Sequence, residues 1–308
     1  MNNYPETPMH SLKKLATILM LFLLFFFIAD FLVAYFLGCG LKKYYGIENS
    51  AQILVNGASQ VMLAVDKDLI ERETGMRVAK YTREGVNISD RELMIHHFFS
   101  EKKSSAKIVV YGVDQFLFTD EGMSENSYTI FYPFMDNKEI SDYIHTYTKE
   151  WYVYKIHQYI RCSRFDLYLV NSAIRGFLGD WSNKKKGEVN ISSLKSNIAN
   201  GSVRKINSKA TNIATFQKTM QFLESKNITV VLLYIPYVDI LENNDSKMQE
   251  TKNIFKKYSS DHPAVRFIDL TYPASSEHSW YFDPNHLNPK GQKELTEIVI
   301  SELKKISK

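Results

Sequence analysis

The chain has 308 residues, with 38 Lys+Arg against 34 Asp+Glu, a formal net charge of +4. A hydrophobic share of 44% with 23% charged residues excludes a disordered or low-complexity chain. So small and dispersed a positive excess excludes nucleic acid as the expected partner. Two cysteines, Cys39 and Cys162, are too few for a disulfide framework or a Cys-based zinc site.

The first element is the apolar block Leu15–Gly38, whose single charge is Asp30. As a helix it rises roughly 36 Å, enough to cross a hydrocarbon core of roughly 30 Å. We read residues 15–38 as a single-pass transmembrane signal anchor and residues 1–14 as a cytoplasmic tail. Two competing readings are a cleaved signal peptide and a lipoprotein signal ending at Leu37-Gly38-Cys39. For both, the apolar run is long. Lys13 and Lys14 before the span balance Lys42 and Lys43 after it, so flanking charge does not orient it. Asp30 has two readings. It sits off-centre near the headgroups, or it contacts a polar group of another membrane protein.

Residues 51–308 form the remaining domain. Ala51–Ser59 reads as a buried strand entering a tight turn, followed by a helical stretch over Val61–Thr74. Arg77–Thr82 is a second strand, and Asp90–Glu101 a helix. Lys107–Val113 is a third strand, rich in β-branched residues. Thr229–Ile235 and Val265–Leu270 are two more, preceded by helices at Ile213–Ser225 and Met248–Tyr258. A last helix runs from Pro289 to Ile306. Apolar strands alternating with amphipathic helices predict an α/β, flavodoxin-like three-layer sandwich, with a parallel sheet of about five strands. Residues 114–210 hold no clear strand and many aromatics. They read as a mostly helical insertion overhanging the C-terminal sheet edge, where loops carry chemistry. Its aromatics are expected to form a small core rather than a glycan-stacking surface, and Lys184–Lys186 a solvated turn.

Two short pieces carry chemical promise. Gly57-Ala58-Ser59 places a serine on the bend between the first strand and a helix, with small neighbours that relieve crowding. Unpaired N–H groups there favour a nearby negative charge, although a serine N-cap reads the same way. In Asp283-Pro284-Asn285-His286-Leu287-Asn288-Pro289-x-Gly291, a carboxylate three residues before a histidine can orient the ring and stabilise its imidazolium. A surface loop or half a metal site would look alike, but no third ligand is readable. His96 and His97 fall in a helix, and His145 and His157 in the insertion, without readable partners.

In chain order, G-x-S after the first strand and D-x-x-H-L-N-x-x-G before the last helix resemble the SGNH/GDSL hydrolase family. The resemblance spans most of Gln52–Ile306. It implies Ser59 as nucleophile, His286 as general base and Asp283 as its orienting partner, with no cofactor and no metal. It further implies an oxyanion hole of the Ser59 N–H, a glycine after strand two and an asparagine after strand three. Gly85 is the candidate glycine, with Asn87 an alternative donor. After strand three the family pattern G-x-N-D is replaced by Gly112-Val113-Asp114-Gln115. The asparagine is absent, an ionised Asp114 would repel an oxyanion, and Gln115 is the substitute candidate. Joined to an anchor, the pattern resembles proteins that transfer D-alanyl groups to teichoic acid or acetylate alginate-type exopolysaccharides. This implies an extracytoplasmic serine O-acyltransferase or O-acylesterase in a bacterial cell membrane. Its implied partners are an envelope glycan or other acyl ester and a multi-spanning membrane acyltransferase. The alternatives are a general esterase or lipase on small esters, and a catalytically weak glycan-binding or scaffold subunit.

Overall fold

A computed structural model describes residues 8–306, apart from 49, 102–104, 125–126, 149, 202–203 and 243–245. The chain opens with one 38-residue helix, α1 (Pro8–Tyr45). Its Ser11–Tyr45 portion is long and apolar enough to cross a membrane. Nearly every side chain from Leu15 to Ala29 is exposed, whereas Leu41, Tyr44 and Tyr45 are buried in the core of the domain that follows.

Five strands make the sheet: β1 (Ile53–Gly57), β2 (Val78–Thr82), β3 (Ile108–Val113), β4 (Thr229–Tyr234) and β5 (Val265–Asp269). All pair in parallel, in the order β2-β1-β3-β4-β5. That is the flavodoxin-like order, whose chain reversal lies between β1 and β3 and opens a crevice at their C-terminal ends. Strand residues alternate between two cores. Ile53, Val55, Val110, Val231 and Leu233 pack under α2 (Ser59–Ala64), α3 (Lys67–Thr74) and the last helix, α13 (Pro289–Ile306). Leu54, Tyr81, Val109, Tyr111, Leu232 and Tyr234 pack on the other face. They lie under α4 (Ile88–Ser100), α9 (Ala210–Ser225) and α11 (Ser246–Asp261), with Phe216 and Phe255 as large buried side chains. A strand covered on both faces needs a largely apolar run, as the central strands β1, β3 and β4 have, whereas β5 at the sheet edge exposes Arg266.

The helix expected over Val61–Thr74 is two helices. Val65 is extended, Asp66 caps α3 by accepting from Leu69 N–H at 3.1 Å, and the break has a buried cause. Lys80, on β2, donates from Nζ to the carbonyls of Met62 at 2.7 Å and Val65 at 2.6 Å, taking over acceptors at the end of α2. Burial lowers the Lys80 ammonium to about 7, against the weaker upward pull of Asp66 and Asp68. Between pH 7 and about 10 the unfolded chain binds this proton and the folded chain does not, so Lys80 makes stability rise with pH over that window. We expect Lys80→Met to destabilise most near pH 10 and progressively less towards pH 6. Urea unfolding of both proteins across that range measures it; a pH-independent difference would contradict the assignment.

The segment between β3 and β4 is helical, without a strand among its described residues. It carries α5 (Lys138–Tyr147), α6 (Trp151–Tyr159), α7 (Leu167–Leu178) and α8 (Ile191–Ala199). Several of its aromatics, including Phe118, Phe131, Tyr132 and Phe134, are buried in the main core. Its helix α7 lies against α1 at a crossing of two glycines. A Cβ on Gly40 would stand 2.4 Å from the carbonyl oxygen of Ala173, and one on Gly176 would stand 2.0 Å from that of Gly40. Asp30, buried on the same side of α1, accepts from the backbone N–H groups of Arg161 and Cys162, both at 2.8 Å. The carboxylate thus has its partners within the chain. Between β4 and α11 lies the one-turn helix α10 (Asp239–Glu242), and after β5 come the one-turn helix α12 (Thr271–Ala274) and a small antiparallel hairpin, β6 (Tyr281–Asp283) with β7 (His286–Leu287).

Candidate active site

Ser59 opens α2 directly above the C-terminal end of β1. The approach of α2 to the sheet is set at Gly57, where φ is +148° and a Cβ would lie 2.6 Å from Cγ1 of Val61. With no side chain there, Val61 seats on the sheet and the bend carries Ser59 to the crevice.

The partners come from the β6–β7 hairpin. His286 Nε2 lies 2.8 Å from Ser59 Oγ, and His286 Nδ1 lies 2.8 and 2.9 Å from the two oxygens of Asp283. Asp283 Oδ1 also accepts from the backbone N–H of Asn285 at 2.8 Å and of His286 at 2.9 Å. Burial works against the charged carboxylate. The contacts with His286 and the two N–H groups outweigh it and hold Asp283 below its usual range. A carboxylate on Nδ1 leaves Nε2 as the acceptor facing the hydroxyl, the arrangement in which a serine proton can be taken and later returned.

The rest of the motif holds the hairpin. Leu287 is buried, and Asn288 Oδ1 accepts from the N–H of Lys290 and Gly291, capping α13. Asn288 Nδ2 donates to the carbonyls of Gly187 at 3.1 Å and Ser279 at 2.9 Å. A Cβ on Gly291 would meet the Trp280 carbonyl oxygen at 2.4 Å, so the helix can start this close to the hairpin only with glycine there. Tyr281 adds a bond from its hydroxyl to the Pro236 carbonyl at 3.1 Å.

A cleft of about 740 Å³ opens at Ser59 and His286. Gly85, Asn87 and Gln115 all line it. Gly85 is in the left-handed region, φ +77°, in the turn after β2. Asn87 is committed elsewhere: its Oδ1 caps α4 through Ser89 and Asp90 N–H, and its Nδ2 donates to the Gly122 carbonyl. Its backbone N–H donates to Asp90 at 3.0 Å, so the capping box and the Gly122 contact fix the side chain at the start of α4. The backbone N–H groups of Ser59 and Gly85 and the side chain of Gln115 stay as candidate oxyanion donors.

Asp114 stands where a repulsive charge was expected, but Arg91 neutralises it. Arg91 Nη2 reaches Asp114 Oδ2 at 3.1 Å and Nη1 donates to the Gly112 carbonyl at 2.8 Å, both side chains being almost fully buried. Asp114 Oδ1 accepts from Phe116 N–H at 2.8 Å, turning the chain after β3. Sequence reading did not single out Arg91, because its partner lies 23 residues away on another element. Neither did it single out the far wall of the cleft. There Leu194 and Ile198 of α8 line the cleft together with Tyr237, and Arg204 lies over the Phe116 ring, 4.5 Å from its centroid. The insertion thus contributes one wall of the crevice. Of the other histidines, His97 is buried against the Tyr81 hydroxyl at 3.1 Å, and His157 packs tilted against Tyr132. Among the described residues, no group of three or more His, Cys, Asp or Glu is placed to hold a metal ion.

No protein-family model matches the chain, and no curated protein matches its sequence. Among solved structures it is similar to one from Bacteroides fragilis described as a "putative acylhydrolase". That match has 8% identity and a TM-score of 0.37, covering 82% of this chain and 86% of the other. So remote a likeness assigns no activity.

Proposed function

We propose that the chain is a membrane-anchored serine acyl-transfer enzyme of SGNH/GDSL type, acting on an envelope glycan outside a bacterial membrane. The observation that carries the proposal is the continuous Ser59–His286–Asp283 hydrogen-bonded relay at the mouth of a cleft. Ser59 Oγ attacks the carbonyl carbon of an acyl ester as its proton passes to His286 Nε2. Asp283 stabilises the imidazolium. The developing oxyanion is met by the N–H groups of Ser59 and Gly85, with the Gln115 amide in place of the missing asparagine. Collapse expels the alcohol, which takes the proton from His286, and leaves acyl-Ser59. A sugar hydroxyl or water, deprotonated by His286, then takes the acyl group and frees the serine. No metal or cofactor enters these steps. A multi-spanning membrane acyltransferase is the proposed source of acyl groups. The long apolar helix α1 supports a meeting in the membrane.

The test is the fate of the acyl group. The full chain in detergent is given p-nitrophenyl acetate with and without a soluble oligosaccharide. The proposal expects p-nitrophenol release and acetylated sugar, both lost in Ser59→Ala. Release with acetate as the only product would overturn transfer in favour of a plain esterase. No release from the folded chain would favour a scaffold subunit.

A further inference from the structure

Two contacts tie the helical insertion to α1, and together they say where the insertion sits. The argument rests on the reading that α1 crosses a membrane. Counting from Leu15, just beyond Lys13 and Lys14, a hydrocarbon core of roughly 30 Å takes up roughly 20 helical residues and ends near Ala34. Asp30 therefore lies within about one helical turn of that boundary. Its carboxylate is held by the N–H groups of Arg161 and Cys162, so the Arg161–Arg164 turn must reach the same depth. The second contact is the Gly40–Gly176 crossing, reinforced by the Phe36–Phe177 stack at 4.4 Å. About 15 Å of α1 separates Asp30 from Gly40. Contacts at two levels fix the insertion along the helix, with its tip towards the bilayer.

The tip has the surface this position requires. Helix α6, which leads into the Arg161–Arg164 turn, buries none of its residues. Tyr152, Ile156 and Tyr159 recur at helical spacing and are 54%, 46% and 68% exposed, with Trp151 beside them at 73%. So many exposed aromatics on nine residues are unusual for a face in water, whereas Trp and Tyr gather at the headgroup level of bilayers. Beyond the turn, Leu167 is 88% exposed at the start of α7. The turn that follows α6 meets the apolar surface of α1, with Arg161 over the Phe31 ring at 5.1 Å.

We infer that α6 and the turn after it are a second membrane contact, lying in the headgroup–acyl boundary of the bilayer that α1 enters. The occupant of this face is lipid. The domain is then held at two points rather than swinging on one helix. Its crevice keeps a fixed orientation to the membrane plane, because the insertion also forms one wall of the cleft.

The test uses the full chain reconstituted in vesicles of two phosphatidylcholines in equal parts, one brominated near the headgroup to reach the depth of Trp151 and one near the acyl-chain ends to reach the depth of Phe26. Tryptophan fluorescence is read in three versions: Trp151 alone (W181F/W280F), Trp280 alone (W151F/W181F), and F26W with all three native tryptophans changed to Phe. Circular dichroism checks that each keeps the wild-type helix content. Bromolipid is expected to quench Trp151 and the F26W probe strongly and to leave Trp280 bright. A quenched F26W probe with an unquenched Trp151 would overturn the proposal and leave the anchor standing; it would point to a protein on this face. An unquenched F26W probe would overturn the anchor, and the proposal with it.

Discussion

Replacing Ser59 by alanine is expected to lower ester turnover by about 10⁴–10⁶-fold while leaving the fold intact. The size follows from the role. Without Oγ no acyl-enzyme forms, and His286 has no proton to take. The side chain makes one hydrogen bond, to His286, and holds no other element in place, so the loss of stability is expected within about 0.5 kcal/mol. Steady-state turnover and urea unfolding on the same sample separate the two. Activity within tenfold of wild type would remove the serine from the chemistry.

Replacing Arg91 by leucine is expected to act mainly on stability. Arg91 and Asp114 are both buried, and the arginine also satisfies the Gly112 carbonyl. Removing it strands a carboxylate and a carbonyl in the core, at a cost of about 3–5 kcal/mol. The double change Arg91→Leu with Asp114→Asn is expected to recover part of that loss, because the stranded charge is gone. Urea unfolding of the single and double variants forms the cycle. A single-variant loss under about 1 kcal/mol would mean that Asp114 does not depend on Arg91. In the folded fraction of Arg91→Leu, turnover is also expected to fall, because an unneutralised Asp114 borders the cleft where an oxyanion would form.

Much of the architecture is legible along the chain because the strands are unusually pure. Ile53–Val55, Ile108–Val110 and Val230–Leu233 are buried on both faces, and only apolar runs survive there. The parallel, flavodoxin-like sheet is what strands alternating with helices predict. What escaped is non-local. The break between α2 and α3 depends on Lys80, a residue of another strand. The β6–β7 hairpin is too short to show a period. Helix α1 outlasts its apolar run and ends at Tyr45, since its last turns pack Leu41, Tyr44 and Tyr45 into the domain core while Lys42 pairs with Glu101 at its edge. The site divides in the same way. Ser59, Asp283 and His286 stand in two local motifs, and the hairpin supplies the geometry that brings the second to the first. The cap that Asn87 makes through Ser89 and Asp90 is local, but its amide donation to the Gly122 carbonyl, 35 residues on, leaves no sequence trace. The pairing of Arg91 with Asp114 left no local trace at all.

The central claim is that Ser59 is an activated nucleophile. A fluorophosphonate, which phosphonylates only an activated serine, tests it most directly, with the whole chain weighed and its peptides mapped by mass spectrometry. The account predicts one adduct per chain, on Ser59, and none in His286→Ala. A folded chain that stays unmodified, or carries its adduct on another residue, would contradict it.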